Sequence, residues 1–183
     1  MEGHHLILGE LIDFLTGKTI EDTHDERLRQ QVAKWLVQKK GYGKKDLESG
    51  EKIFVSFGGI RARVPLDFRI TIQNRTAMIV KYGPGSILTR HRSALALSRL
   101  AAPYQIPVVV VTNGRDADVL EGGTGRCIGQ GFEAIPSRQH LAKIVSDADW
   151  KPLPEKQVEM ESRVLYAYEI DDACPCDNTV CRL

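Results

Sequence analysis

RARVPLDFRITIQNRTAMIVKY, residues 61–82, decides the fold. It reads as two strands. Residues 61–72 form the first, with Pro65 marking an edge or a bulge because proline cannot donate to a ladder. Asn74-Arg75 turns the chain, and Ala77 to Tyr82 form a second, mostly apolar strand. Upstream, Ile53, Val55 and Phe57 alternate with polar residues, and Gly58-Gly59 joins that strand to residue 61 as a hairpin. Downstream, Gly83-Pro84-Gly85 breaks the third strand, and Ser86 is placed to cap a helix running to about Ala101. Ile106 to Val111, β-branched throughout except for Pro107, then has the pattern of a strand buried on both faces. A strand, a helix and a strand in this order predict a parallel, right-handed crossover in a mixed sheet.

The flanks complete an α/β reading. Thr23 is an N-cap with Glu26 three residues on, a capping box, and Leu28, Val32, Trp35 and Leu36 recur at helical spacing until Gly41-Tyr42-Gly43. Residues 6–17 carry Leu8, Leu11, Ile12, Phe14 and Leu15 before Gly17, which reads as a short helix or turn. Asp118 to Glu121 is a short pairing strand, and Ser137 caps a last domain helix over Leu141, Ile144 and Val145. The expected organisation is a domain over 18–150, with 1–17 as an extension packed on it. Residues 151–183 are a linker marked by Pro152 and Pro154, a helix over Glu155 to Tyr168, and a cysteine-rich tail.

A chain of 183 residues, 42% hydrophobic and 27% charged, is long enough to bury a sizeable core. No apolar run is long enough to span a bilayer, and Glu10 and Asp13 interrupt the N-terminal apolar residues, so the reading is a cytoplasmic protein without a membrane segment. With a net charge of +1 there is no general pull toward nucleic acid, so any such binding rests on local patches. Arg61 and Arg63, the helical pair Arg92 and Arg99, and Lys44 and Lys45 beside the glycine turn are the candidates for phosphate contacts. Gly83-Pro84-Gly85-Ser86 lacks the Lys-Ser/Thr ending of a phosphate-binding loop of nucleotide hydrolases. The five histidines have no zinc-site spacing, and Cys174-Pro175-Cys176 with Cys181 falls short of a structural zinc pattern.

Five features in one order carry a resemblance: Glu26-Arg27-Leu28-Arg29-Gln30, Lys40-Gly41-Tyr42, Asp67 on a strand, Lys81 ending the next strand, and Thr112-Asn113-Gly114. Across roughly residues 20–145 they resemble the N-terminal nuclease domain of type I restriction enzyme R subunits, in the PD-(D/E)xK superfamily. The resemblance implies a restriction-endonuclease-like mixed sheet flanked by helices, DNA as a partner and magnesium as the cofactor of an active enzyme. Hydrolysing a phosphodiester needs a divalent cation to polarise the phosphate and activate water. Magnesium takes oxygen ligands, so such sites set an Asp on one strand and a Glu on the next. A Lys two residues after that Glu shares its face and stabilises developing charge.

On this pattern Asp67 is the first carboxylate and a metal ligand, Lys81 is the lysine, and Glu26 matches the first-helix carboxylate. The position two before Lys81 is Ile79, which cannot ligate a metal. This is a degenerate site. Each retained residue also has an ordinary reading: Glu26 as half of a capping box, Asp67 as a partner of Arg61, Arg63 or Arg69, and Lys81 as a solvated charge. Three functions stay open: a catalytically impaired nucleic-acid-binding or accessory module; a magnesium-dependent endonuclease with a relocated carboxylate such as Glu26 or Asp25; and a partner-binding structural protein docking through its tail. If Ile79 stands where a ligand is missing, Ile79→Glu should create a magnesium-dependent rise in melting temperature.

Overall fold

The computed structural model describes residues 7–171 and 181–182. Strands β1 (Gly9–Ile12) and β2 (Thr19–Asp22) pair with each other as an antiparallel hairpin. Helix α1 (His24–Gln38) follows, then β3 (Leu47–Phe57), β4 (Ile60–Ile72) and β5 (Arg75–Tyr82). Helix α2 (His91–Leu100) leads to β6 (Val108–Thr112), β7 (Ala117–Glu121) and β8 (Cys127–Gln130). Helices α3 (Arg138–Asp147) and α4 (Glu155–Leu165) come next, and β9 (Cys181–Arg182) pairs with β4. The main sheet runs β3-β4-β5-β6-β7-β8. All its pairings are antiparallel except β5 with β6, the crossover through α2 that the sequence predicts. The fold is α/β, a mixed sheet with a helical layer on each face.

Two cores follow from strand alternation. Val32, Ala33 and Leu36 of α1 with Leu141 and Val145 of α3 pack on Phe68, Ile70, Met78, Val80, Val108 and Val110. Ala94 to Leu97 of α2 and Leu165 of α4 cover Ile79, Val109 and Val111 on the other face. Strand β6 is buried along its whole length, as its β-branched run requires.

The β3–β4 ribbon serves both cores with residues of one parity. Phe68, Ile70 and Ile72 lie in the α1/α3 core, whereas Ala62, Val64 and Leu66 lie in the α2/α4 core. Side chains alternate strictly along a strand, so the ribbon must turn over between Leu66 and Phe68. It does so at Asp67. Ser49 faces Phe68 and Glu51 faces Leu66, which sets Gly50 across from Asp67, and Gly50 has the positive φ of 71° that a tight coil demands.

The structure corrects four sequence expectations. Residues 9–22 form a hairpin where the spacing of Leu8, Leu11, Ile12 and Leu15 reads as helix or turn. Helix α2 begins at His91 after a single tight turn at Leu88–Arg90, with no side-chain cap, so Ser86 does not start it. The β4–β5 turn centres on Gln73 and Asn74, both at positive φ. The capping box is half formed: Thr23 Oγ1 accepts the Glu26 N–H at 3.1 Å, but the Glu26 carboxylate turns to Arg29 and Gln30. Strand β8 has no counterpart in the sequence reading. Cys174 and Cys176 lie outside the described residues.

Helix α4 is fastened to α2 by charge. Glu161, 3% exposed, accepts from Arg92 Nη1 and Arg99 Nη1, each at 2.5 Å. Arg99 also donates to the Gly123 carbonyl at 2.9 Å. Two guanidinium groups offset the desolvation of one carboxylate, and removing the carboxylate leaves both without it. Glu161→Ala is therefore expected to cost about 3 kcal/mol in denaturant unfolding, with faster hydrogen exchange through α4. An unchanged midpoint would show that α4 docks through its apolar residues alone.

Candidate functional site

Strand β4 separates from β5 at Asp67, and a cleft opens there. It has a volume of about 490 Å³ and is enclosed by the β1–β2 hairpin, α1 and the turning point of the ribbon. Its charged lining comprises Asp13, Glu26 and Asp67 against Lys18, Arg29 and Lys52.

A continuous set of hydrogen bonds crosses its floor. Asp67 Oδ1 accepts from Arg29 Nε at 2.7 Å, and Oδ2 accepts the backbone N–H of Tyr82 at 2.8 Å. Arg29 Nη1 reaches Glu26 Oε2 at 3.3 Å, and Glu26 Oε1 accepts from Gln30 Nε2 at 2.8 Å. Gln30 Nε2 also donates to Asp13 Oδ2, and Gln30 Oε1 accepts the Phe14 N–H, both at 2.7 Å. Glu26, Arg29 and Gln30 are three and four residues apart on α1, so they share one helical face. The chain of bonds therefore links the N-terminal hairpin, α1 and the β4–β5 junction.

Charge follows this wiring. Burial lowers the pKa of the Arg29 guanidinium, but the Asp67 and Glu26 carboxylates together more than compensate, so it lies above the ordinary arginine value. Burial pushes Asp13 upward, but hydrogen bonds from Thr16 and Gln30 outweigh it and hold the carboxyl below the ordinary aspartate value. The Tyr82 phenol is raised by burial and by its bond to Asp25.

Lys81 lies at the same junction but is turned elsewhere. The β4–β5 ladder ends at the pair Phe68 and Val80, the residues next to Asp67 and Lys81 in the chain. The Lys81 ammonium, however, donates to the Pro65 carbonyl at 2.9 Å and faces Glu169 at 3.6 Å. Glu169 belongs to the turn after α4. Ile79 is fully buried in the α2/α4 core, between Arg69 and Val109 in register.

The remaining candidates are spread over the molecule. Arg61 is exposed near the ribbon tip, and the Arg63 guanidinium lies over the Phe54 ring, 5.2 Å from its centroid. Lys45 is exposed, while Lys44 rests on the Phe14 ring and its carbonyl. Arg92 and Arg99 are engaged with Glu161 on another face. Arg29, which has no role in the sequence reading, is the central cation of the site. Its signal was present, three residues after Glu26 on a polar helical face. Lys18 and Lys52 carry no signal, because isolated charges acquire meaning only when the hairpin and the ribbon meet.

Residues 24–136 match the family model described as the type I restriction enzyme R protein N terminus, which is more than half of the chain. The chain belongs to that family. Neither a curated protein nor a solved structure matches it. The matched region of this R protein N-terminal domain runs from α1 through β8. The β1–β2 hairpin, which supplies Asp13 and Lys18, and α4 with Glu169 both lie outside it.

The donors present do not fit the divalent cation that a nuclease of this kind implies. Both Asp67 oxygens accept hydrogen bonds, one from a guanidinium, and the position two before Lys81 is a core isoleucine. Among the described residues, no three His, Cys, Asp or Glu side chains converge on a point that could hold a metal.

Two outcomes follow. Ile79→Glu puts a charge into an apolar core, and Arg69 opposite it is already bidentate on Glu51. The variant should lose about 3 kcal/mol, and its melting curves with and without millimolar magnesium should superimpose. A magnesium-dependent gain would instead reveal a cation site. For Asp13, a folded pKa below the unfolded one gives stability that is present above about pH 4 and is lost as the pH falls through the folded value. Asp13→Asn should flatten that part of a melting-temperature profile taken between about pH 2 and pH 6.

Proposed function

We propose that this domain is a nuclease-fold module that holds DNA along the Asp67 cleft without hydrolysing it. The observation that carries the reading is the double bonding of Asp67. The carboxylate that would anchor a catalytic cation is committed to Arg29 and to the Tyr82 N–H. Metal-dependent cleavage needs two or more carboxylates free to coordinate. Here Glu26 is bonded within the same floor, and Ile79 is apolar. The lining balances Asp13, Glu26 and Asp67 against Lys18, Arg29 and Lys52, and with Asp67 and Glu26 bonded to Arg29 we take Lys18 and Lys52, with the exposed Arg61 and Lys45, as the cations for phosphate contacts. Such a distribution suits a phosphate backbone on a protein whose net charge is close to zero.

No helix among the described residues is long and apolar enough to cross a membrane. We place the module in the cytoplasm, as the accessory part of an assembly that handles DNA. A second reading draws on Glu26, which lines the cleft beside Asp67. If Arg29 swung away, these two carboxylates would give a magnesium-dependent endonuclease.

One experiment separates the two. A labelled partial duplex with a single-stranded overhang is titrated with the full chain at several salt concentrations, then incubated with magnesium or manganese. The expected result is intact DNA and an affinity that falls with salt, with the logarithmic slope reduced by about 1 in Lys52→Gln. Metal-dependent nicking that Asp67→Asn abolishes would establish the endonuclease reading. Absence of binding at low salt would remove DNA from the account.

A further inference from the structure

The ribbon carries a surface that the cleft alone does not explain. From the turning point to its tip, one side of β3–β4 is sealed in the α2/α4 core by Ile53, Val55, Ala62, Val64 and Leu66. Alternation assigns the other side to the intervening residues, whose cross-strand pairs are Lys52 with Pro65, Phe54 with Arg63, and Ser56 with Arg61. That face holds three cations, one aromatic ring and no carboxylate before Asp67. It begins inside the cleft, since Gly50, Lys52, Pro65 and Asp67 all line it. Phe54 is 68% exposed in the middle of this face, with the Arg63 guanidinium over its ring. A phenylalanine this exposed in a β-strand gains nothing from burial, whereas a ring flanked by cations is a stacking platform for a base.

We infer that the outward face of the β3–β4 ribbon binds single-stranded nucleic acid, with a base stacked on Phe54 and phosphates paired to Lys52 and Arg61, leading the strand into the Asp67 cleft. The inference rests on the DNA-holding role proposed above and specifies which form of DNA is held. Single-stranded nucleic acid is favoured over duplex by the back of the ribbon. A two-stranded ribbon reads a duplex by entering the major groove. Here the back of the ribbon is buried against the domain, and β9 pairs along β4 at Ala62 and Arg63, so the ribbon is a floor and not a probe. In a duplex the base faces are already stacked on one another and are not offered to Phe54. From Arg61 to Asp67 the face extends about 20 Å at the rise of a β-strand, room for a short run of nucleotides.

The test measures fluorescence anisotropy of the full chain with a labelled twelve-residue oligothymidylate and, separately, with a blunt duplex of the same length. The single strand should bind at least tenfold more tightly than the duplex. Phe54→Ala should weaken single-strand binding about tenfold with no change in duplex binding, and Phe54→Tyr should restore it. Lys52→Gln and Arg61→Gln should each lower the salt slope for the single strand. Phe54 is exposed, so the melting temperature of Phe54→Ala should match the parent, and a shifted one would give the ring a structural role that overturns the inference. Equal affinity for the two DNAs, or single-strand binding indifferent to Phe54, overturns it while leaving the DNA-holding role in place. Failure to bind either DNA overturns both.

Discussion

The carboxylate of Asp67 resolves a conflict built into this sheet. Strand β4 must pair with β5 at its C-terminal end and yet leave it to cover the opposite core with Leu66, Val64 and Ala62. Where the ladder ends, the Tyr82 N–H loses its strand partner. A buried backbone donor left unpaired costs roughly 1–3 kcal/mol. Asp67 Oδ2 takes that bond, and Oδ1 draws in Arg29, which brings α1 and its Glu26 and Gln30 against the junction. Through Gln30 the same bonds reach Phe14 and Asp13, so the N-terminal hairpin is positioned by a residue more than fifty positions away.

This economy has a chemical consequence. A carboxylate that holds a strand end and a helix has a donor on each oxygen, and the guanidinium beside it already supplies a positive charge there. Ile79 fits the same logic, since its fully buried side chain extends the α2/α4 core up to the junction. The electrostatic centre of the cleft is thus made of protein groups, Asp67 and Arg29.

Much of the fold is legible in the sequence because its central elements obey simple periodicities. The unbroken β-branched run in β6, the alternation in β3 and the glycine pair at the β3–β4 turn each have one economical solution. The hairpin at residues 9–22 escaped because Leu8, Leu11, Ile12 and Leu15 carry helical spacing while Ile12 is 64% exposed, so the pattern does not mark a buried face. The helix start assigned to Ser86 failed because the tight turn at Leu88–Arg90 intervenes between it and His91. At the site, Asp67, Lys81 and Glu26 could be singled out, but their partners could not. Whether Glu26 closes a capping box or faces Arg29 depends on a rotamer, and that rotamer is set by Gln30 and Arg29, which are themselves fixed by tertiary contacts.

Lys81 shows how the segments outside the family region complete what the family region leaves unbalanced. Lys81 is 5% exposed, and the residue two before it is apolar, so the strand itself offers no counter-charge. A buried ammonium needs acceptors and a counter-charge to offset its desolvation. The Pro65 carbonyl supplies one acceptor, and Glu169 supplies the charge from the turn after α4. Glu169 follows Glu161, which Arg92 and Arg99 hold, by two helical turns, and Leu165 between them packs in the α2/α4 core. The arginine pair that reads in sequence as a basic patch therefore works inward: it helps to seat α4, and the turn after α4 brings Glu169 to Lys81.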